Sequence, residues 1–238
     1  MSFKSKIDFC GLANGTTILL KSHEQGRSVS TVTCENDEGD TIDATAFGHV
    51  MDPSNDYALK GDLTNFDIVL GGVNTVTVDG ASKYFMLKSV TIGTSNSGEV
   101  SLSASAEEVA SATPSRTYTI TIASLKQRNK AQILNSLFTL SGTNAHLQSA
   151  SYTLSVETTQ TTVDGDRVTW DCYGGKIVAT VEAKQAGSEA PEFAATSSQT
   201  SVVVLSGDNN ETRPDSDYAS VSAEITQYLT CDSETEGN

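Results

Sequence analysis

At 238 residues, the chain is long enough for one large or two small domains. Its formal net charge of −15 excludes a grip on nucleic-acid phosphates by counterion release, which needs clustered Lys and Arg. The one local basic group is Lys126, Arg128 and Lys130, and hydrophobic residues at 37% with aromatics at 6% are sparse for a compact enzyme.

Taken in order, the chain reads almost entirely as strands and turns. Short strands are expected around 4–10 and 16–21, joined by a turn at 11–15. The apolar residues of this start are broken by Asp8, Gly11, Asn14 and Gly15, so it does not read as a signal peptide. No apolar run approaches the roughly 20 residues that span a bilayer, which predicts a product made in a cytoplasm without a membrane partner. Cys10, Cys34, Cys172 and Cys231 form no CxxC pair and are expected as free thiols.

A hairpin follows, with strands at 28–34 and 41–47 around a polar turn at 35–40. Residues 51–56 read as a loop because of Asp52-Pro53-Ser54-Asn55, and strands are expected at 57–63, 66–70, 75–78, 84–92, 99–106 and 118–122. Asp79-Gly80 marks a two-residue hairpin turn, where both positions need positive φ. The spacing of Leu125, Ile133, Leu134, Leu137 and Phe138 predicts one helix over 125–138, with Ser124 as cap and Gly142 past its end. Beyond it, strands are expected at 149–159, 176–184, 201–205 and 218–229, separated by loops at 186–196 and 206–217. The tail, 232–238, is acidic and expected to fray.

Two stretches repeat one plan. Thr31 begins TVTCENDEGDTIDATAFG, and Val156 begins VETTQTTVDGDRVTWDCYG. Each has a turn ending in Gly-Asp (Gly39-Asp40, Gly165-Asp166) and a β-leaning run closing in an aromatic and Gly (Phe47-Gly48, Tyr173-Gly174). A second pair of marks, Pro114 to Tyr118 and Pro214 to Tyr218, reads as the downstream anchor of each copy. This predicts a mainly β protein of two tandem related sandwich- or barrel-like units, 1–142 and 143–231, with the helix between or packed on them. From Gly39 to Pro114 is 75 residues, and from Gly165 to Pro214 is 49. The first copy's excess of about 26 is expected around 61–99 as a projecting arm.

No motif carries catalysis. Asp37, Glu38 and Asp40, with Asp164 and Asp166 in the second copy, invite a cation reading. They lack EF-hand spacing, and hairpin turn chemistry accounts for Asp and Gly there. His23, His49 and His146 form no zinc-binding pair, and no GxSxG accompanies the many serines. Gly71-Gly72 and Gly174-Gly175 read as turns or bulges instead of phosphate cradles. Trp170 reads as a core or interface anchor, with a ligand-stacking platform as the lesser option. No catalytic residue, metal or cofactor is assigned.

The paired hairpins ending in Phe47-Gly48 and Tyr173-Gly174, the segment 125–138 and the acidic loops resemble the tail tube (major tail) proteins of bacteriophages. In that family, β-sandwich units join edge to edge into rings that stack around the path of the genome. The resemblance implies a structural virion protein, made in the host cytoplasm and not an enzyme. It implies rings of six copies, or of three where the unit is tandem-duplicated. It implies other tail proteins as partners (terminator, tape measure, baseplate or sheath) and DNA passing without specific binding. Candidate interface or lumen residues are then Asp37, Glu38, Asp40, Asp164, Asp166, Trp170, Lys126, Arg128 and Lys130. The acidic loop adds Asp208, Glu211, Asp215 and Asp217. Two other readings fit the composition. One is a tail terminator, distal tail ring or capsid decoration protein, which forms a closed oligomer without polymerising. The other is a carbohydrate-binding β module built on Trp170 and paired carboxylates about 5–10 Å apart.

Overall fold

The computed structural model describes residues 9–12, 17–35, 37, 40–78, 80–113, 116–127, 130–163, 166–186, 191–196, 202–205, 210–212 and 218–234. Its centre is an antiparallel ten-stranded sheet. Along its main path lie β1 (Ile18–Glu35), β2 (Thr41–Leu59), β6 (Ser101–Val109), β5 (Ala81–Ser95), β9 (Ala145–Val163), β10 (Asp166–Ala186), β14 (Tyr218–Tyr228) and β12 (Val202–Leu205). Off that path, β4 (Val73–Val78) pairs with β5, and β13 (Asn210–Thr212) pairs with β14.

Period-2 alternation decides which face is covered. Leu102, Ala104 and Ala106 on β6, Tyr152 and Leu154 on β9, Ala179 and Val181 on β10, and Val221, Ala223 and Ile225 on β14 are all buried. A smaller sheet of β3 (Leu63–Leu70), β7 (Arg116–Leu125) and β15 (Ser233–Glu234) lies over this face with Ile68, Leu70, Ile120 and Ile122. A ribbon of β8 (Phe138–Ser141) and β11 (Glu192–Ala195) adds Phe138 and Phe193, packed edge to face at 5.5 Å. The alternate positions carry Ser89, Thr91, Ser103, Ser105, Thr153 and Ser155, none of them buried.

Several expectations need correction: the loops expected at 186–196 and 206–217 contain β11 and β13, and the start of the tail expected to fray, at 233–234, pairs as β15 with β7. Residues 125–138 are not a helix: Leu125 ends β7, Phe138 starts β8, and Asn135 and Ser136 both take positive φ (51° and 54°). Polar side chains win over helical spacing here. Gln132 Oε1 accepts from Lys126 N at 2.7 Å, and Asn135 Nδ2 donates to Thr121 O at 2.7 Å. Leu134 and Leu137 are buried from a loop. Among the described residues there is no helix, and so none long and apolar enough to cross a membrane.

Residues 51–56 are strand and not loop, with Pro53 of β2 opposite Gln25 of β1. Residues 61–99 do not project as a whole: β5 lies mid-sheet, and Phe85, Met86 and Val90 are fully buried. The overhang is made by β1 and β2. Their pairing runs from Ile18↔Leu59 to Glu35↔Thr41, whereas β6 joins β2 only at Ser54, Asn55, Asp56 and Tyr57. At about 3.3 Å per residue, the part beyond Met51 reaches roughly 30 Å. It is poor in large apolar residues, and described side chains there, such as Thr33, Cys34, Glu35 and Asp40, are exposed.

The glycines read as turns behave as such. Gly71 links β3 to β4 at φ 79°, and Gly174 sits at φ 64° in a bulge of β10. A Cβ on Gly71 would lie 2.6 Å from Arg116 O and 2.8 Å from Cys172 Sγ, whereas one on Gly80, at φ 82°, meets open space. Gly80→Ala is expected to cost about 1–2 kcal/mol from backbone strain alone. Gly71→Ala is expected to cost about 1–3 kcal/mol more through overpacking. Urea unfolding of the two variants separates strain from crowding; equal losses would show that the Gly71 site relaxes.

Candidate subunit interface

The two long hairpins, β1–β2 and β9–β10, share more than length. Each breaks register at three places. In the first, Leu20↔Tyr57 is followed by Ser22↔Asp56, Ser28↔Val50 by Ser30↔Phe47, and Cys34↔Asp43 by Glu35↔Thr41. In the second, Leu147↔Ala183 is followed by Ser149↔Glu182, Ser155↔Lys176 by Glu157↔Tyr173, and Thr161↔Thr169 by Thr162↔Arg167. Every residue of the second set lies 127 positions after its counterpart on the leading strand (20 to 147) or 126 on the returning one (57 to 183). The middle bulge follows Phe47 in one hairpin and Tyr173 in the other, which is where an aromatic-Gly pair stands in both.

The neighbouring strands keep step. Ser54↔Ser105 and Tyr57↔Leu102 join β2 to β6, and Thr180↔Glu224 and Ala183↔Val221 join β10 to β14. On the far side, Tyr84↔Val109 and Thr91↔Ser103 join β5 to β6. Val202↔Tyr228 and Asn210↔Ser222 join β12 and β13 to β14. The sheet therefore reads as β1-β2-β6-β5 followed by β9-β10-β14 with β12 and β13, joined where β5 pairs β9 over 89–95 and 149–155. The downstream anchors do not correspond. Tyr118 lies in β7 of the small sheet, while Tyr218 begins β14, which occupies the place of β6.

This leaves an edge at each end of the sheet. Residues 21–26 of β1 are all exposed. At the other end, Val204 (37%) and Leu205 (39%) of β12 and Tyr228 (52%) of β14 are exposed large apolar residues. The run VVVL is uncharged, so this stretch of edge lacks the charges that usually blunt one.

The candidate residues fall in three places. Asp37 and Asp40 are exposed at the tip of the first hairpin, and Asp166 opens β10 opposite Val163 at the tip of the second. Glu211 lies in β13 on the open edge. Lys126 pairs with Asp62 at 2.8 Å, and that contact, followed by the Gln127 N–H, holds the Asp62 carboxyl below the usual carboxylate range. Lys126, Lys130 and His146 line a cleft of about 740 Å³. Glu38, Arg128, Asp164, Asp208, Asp215 and Asp217 lie outside the described residues.

Trp170 is core. It is 8% exposed and its Nε1–H donates to Ser111 Oγ at 3.2 Å, so no ring face is presented to a sugar. Among the described residues, no three or more His, Cys, Asp or Glu side chains gather as a metal site.

Among the described residues of the open sheet face, three lysines lie against carboxylates. Lys88 meets Glu107 at 2.7 Å, Lys176 meets Glu157 at 3.9 Å, and Lys184 meets Glu182 at 3.7 Å. Glu107 also accepts from Thr158 at 3.0 Å and Gln160 at 2.5 Å, which ties β6 to the second hairpin.

All four cysteines are free thiols. Cys172 is fully buried and its Sγ–H donates to Arg116 O at 2.9 Å; burial first, then the Asp171 charge, pushes its thiol up to about 11. The unfolded thiol loses its proton near 9.0, whereas the folded one keeps it to about 11. This stabilisation is therefore full below pH 9 and is lost as pH rises towards 11, by roughly 2–3 kcal/mol. Urea unfolding at pH 7.5 and 10.5 should show a smaller alkaline loss in Cys172→Ala than in the unaltered chain. Equal losses would refute the assignment.

Comparison with models of known protein families gives no match to this chain, and no curated protein matches it.

Proposed function

We propose that this chain is a structural subunit of a phage tail tube, a duplicated β unit that self-assembles into rings stacked around a DNA path. The observation that carries the reading is the register equivalence of the two halves of the large sheet, with all three hairpin bulges at matching positions. Independent conservation of three bulges in two unrelated hairpins is improbable, because each bulge is a specific local device.

A duplicated sheet whose halves already join edge to edge solves within one chain the problem that a ring solves between chains. A lone sheet must protect its edges, and closure removes them. Head-to-tail contacts that close by rotation give rings, and three chains of two units each would present six equivalent sectors. The overhanging β1–β2 ribbon supplies reach towards a neighbouring ring. The net charge of −15 and the paired lysines of the open face favour passage of DNA without adhesion. Terminator, tape-measure, baseplate or sheath proteins are the partners this role requires.

Negative-stain electron microscopy of the purified chain, beside its mass by light scattering, tests the reading. Hollow tubes or stacked rings with threefold averages are expected. Single closed rings that never stack would move the assignment to a terminator or distal tail ring. A monomer at high concentration would overturn both.

A further inference from the structure

The two edges of the sheet are complementary in register, and the internal junction gives the alignment. β13 stands to β14 as residues 91–93 of β5 stand to β6. The pairs Asn210↔Ser222, Glu211↔Val221 and Thr212↔Ser220 repeat Thr91↔Ser103, Ile92↔Leu102 and Gly93↔Ser101. β1 likewise stands to β2 as β9 stands to β10. The pairs Glu24↔Ser54, Gln25↔Pro53 and Gly26↔Asp52 repeat Ser151↔Thr180, Tyr152↔Ala179 and Thr153↔Val178. Within the chain, β5 and β9 meet as Thr91↔Thr153, Ile92↔Tyr152 and Gly93↔Ser151. The chain thus contains one joint between a β5-type edge and a β9-type edge, and exposes one edge of each type.

We propose that β13 of one chain pairs antiparallel with β1 of the next, with Asn210 opposite Gly26, Glu211 opposite Gln25 and Thr212 opposite Glu24. The occupant of each edge is a second copy of this chain, and the alignment rests on the assembly reading above. Exposure agrees with a missing neighbour. Residues 21–26 are all exposed, whereas Ala150 and Tyr152, the counterparts of His23 and Gln25, are buried beside β5. Composition agrees as well. The permanent internal joint faces the core with Ile92 and Tyr152, and the counterpart positions carry Glu211 and Gln25. At these two positions the outer edges are polar, as suits a strand that is soluble before it is paired, while the exposed Val204 and Leu205 lie further along, on β12. Main-chain bonds then supply affinity, as in strand addition generally.

The register is testable because a slip of one residue turns every side chain to the other face. In a full-length Cys34→Ser, Cys231→Ser background, the pair Thr212→Cys with Glu24→Cys places two thiols opposite one another across the joint. The pair Thr212→Cys with Gln25→Cys places them on opposite faces. Directly opposed strand residues have Cα atoms about 4.5–5.5 Å apart, within disulfide range. Mild oxidation of the assembled protein should convert most of the Glu24→Cys pair into a ladder at multiples of the 25.1 kDa chain, dissolved by reductant. The Gln25→Cys pair should stay at one chain mass.

Tubes that form under the microscope while neither pair cross-links, or only the Gln25→Cys pair does, overturn this register and leave the tube reading standing. Cross-linking within single chains overturns it too, since it would mean that the sheet closes on itself. Failure of the reduced variants and the unaltered chain alike to assemble removes the tube reading and the register together.

Discussion

Tyr152→Ala should lower the unfolding free energy by about 3–5 kcal/mol, a large fraction of what a chain of this kind has. The side chain is fully buried at the middle of the joint between the two halves, opposite Ile92 on one side and Ala179 on the other. Its hydroxyl donates to Gln132 O at 2.6 Å and accepts from Leu134 N at 3.3 Å, so one residue fastens the loop 130–137 to the sheet. Burial raises the phenol far above its ordinary value, so the donor stays protonated wherever the protein is folded. Tyr152→Phe keeps the ring and removes the hydroxyl, leaving a buried carbonyl and amide short of a partner at about 1–3 kcal/mol. Hydrogen exchange distinguishes the roles. The Phe variant should lose protection at Leu134 while the amides of β9 and β10 keep theirs; unchanged Leu134 protection would show that the hydroxyl holds nothing.

Assembly of Thr212→Lys and Thr212→Glu should diverge, because the proposed register puts position 212 opposite Glu24, which is exposed in the free chain. Opposite charges across a strand pair stabilise by about 0.2–1 kcal/mol, and like charges destabilise by a similar amount. The two variants would then differ by up to about 2 kcal/mol at each joint, or roughly 30-fold in the concentration at which rings appear. The gap should narrow in high salt, since the edge is exposed and screening acts there. Sedimentation of both variants at 50 mM and 500 mM salt gives the answer. Matching assembly curves at low salt would place position 212 away from Glu24. The expected order is Lys below unaltered below Glu in critical concentration, with folding unchanged in all three.

The proposed outer joint would differ in chemistry from the internal one. The internal joint buries Tyr152 and Ile92 and is formed once, when the chain folds. The outer edges carry Gln25, Glu24 and Glu211, and under the proposed pairing they stay polar until a second copy covers them. A lone exposed edge with Tyr and Ile in those places would be an aggregation hazard.

The β class, the two hairpins and the turn glycines are legible in the amino-acid order, because these follow from local rules. Alternation fixes which residues of β9, β10 and β14 face the core. Gly71, Gly80 and Gly174 stand where φ is positive, and Val78↔Ala81 closes the β4–β5 hairpin around 79–80. The aromatic-Gly pairs Phe47-Gly48 and Tyr173-Gly174 mark matching positions in the sequence, and the structure puts a bulge at each. Tertiary structure decided the rest. The apolar spacing over 125–138 fits a helix in isolation, but the Gln132 side chain and the Tyr152 hydroxyl satisfy backbone groups of a loop there, and Asn135 ties that loop to Thr121 of β7. Within 61–99, Phe85, Met86 and Val90 are core because β5 is wedged between β6 and β9, while the overhang falls to β1 and β2, whose neighbour β6 is short. The Pro-to-Tyr anchors matched by spacing alone, and two strands of like composition were sent to different sheets. Which strand neighbours which is set by contacts distant along the chain, and no local pattern in the sequence records that choice.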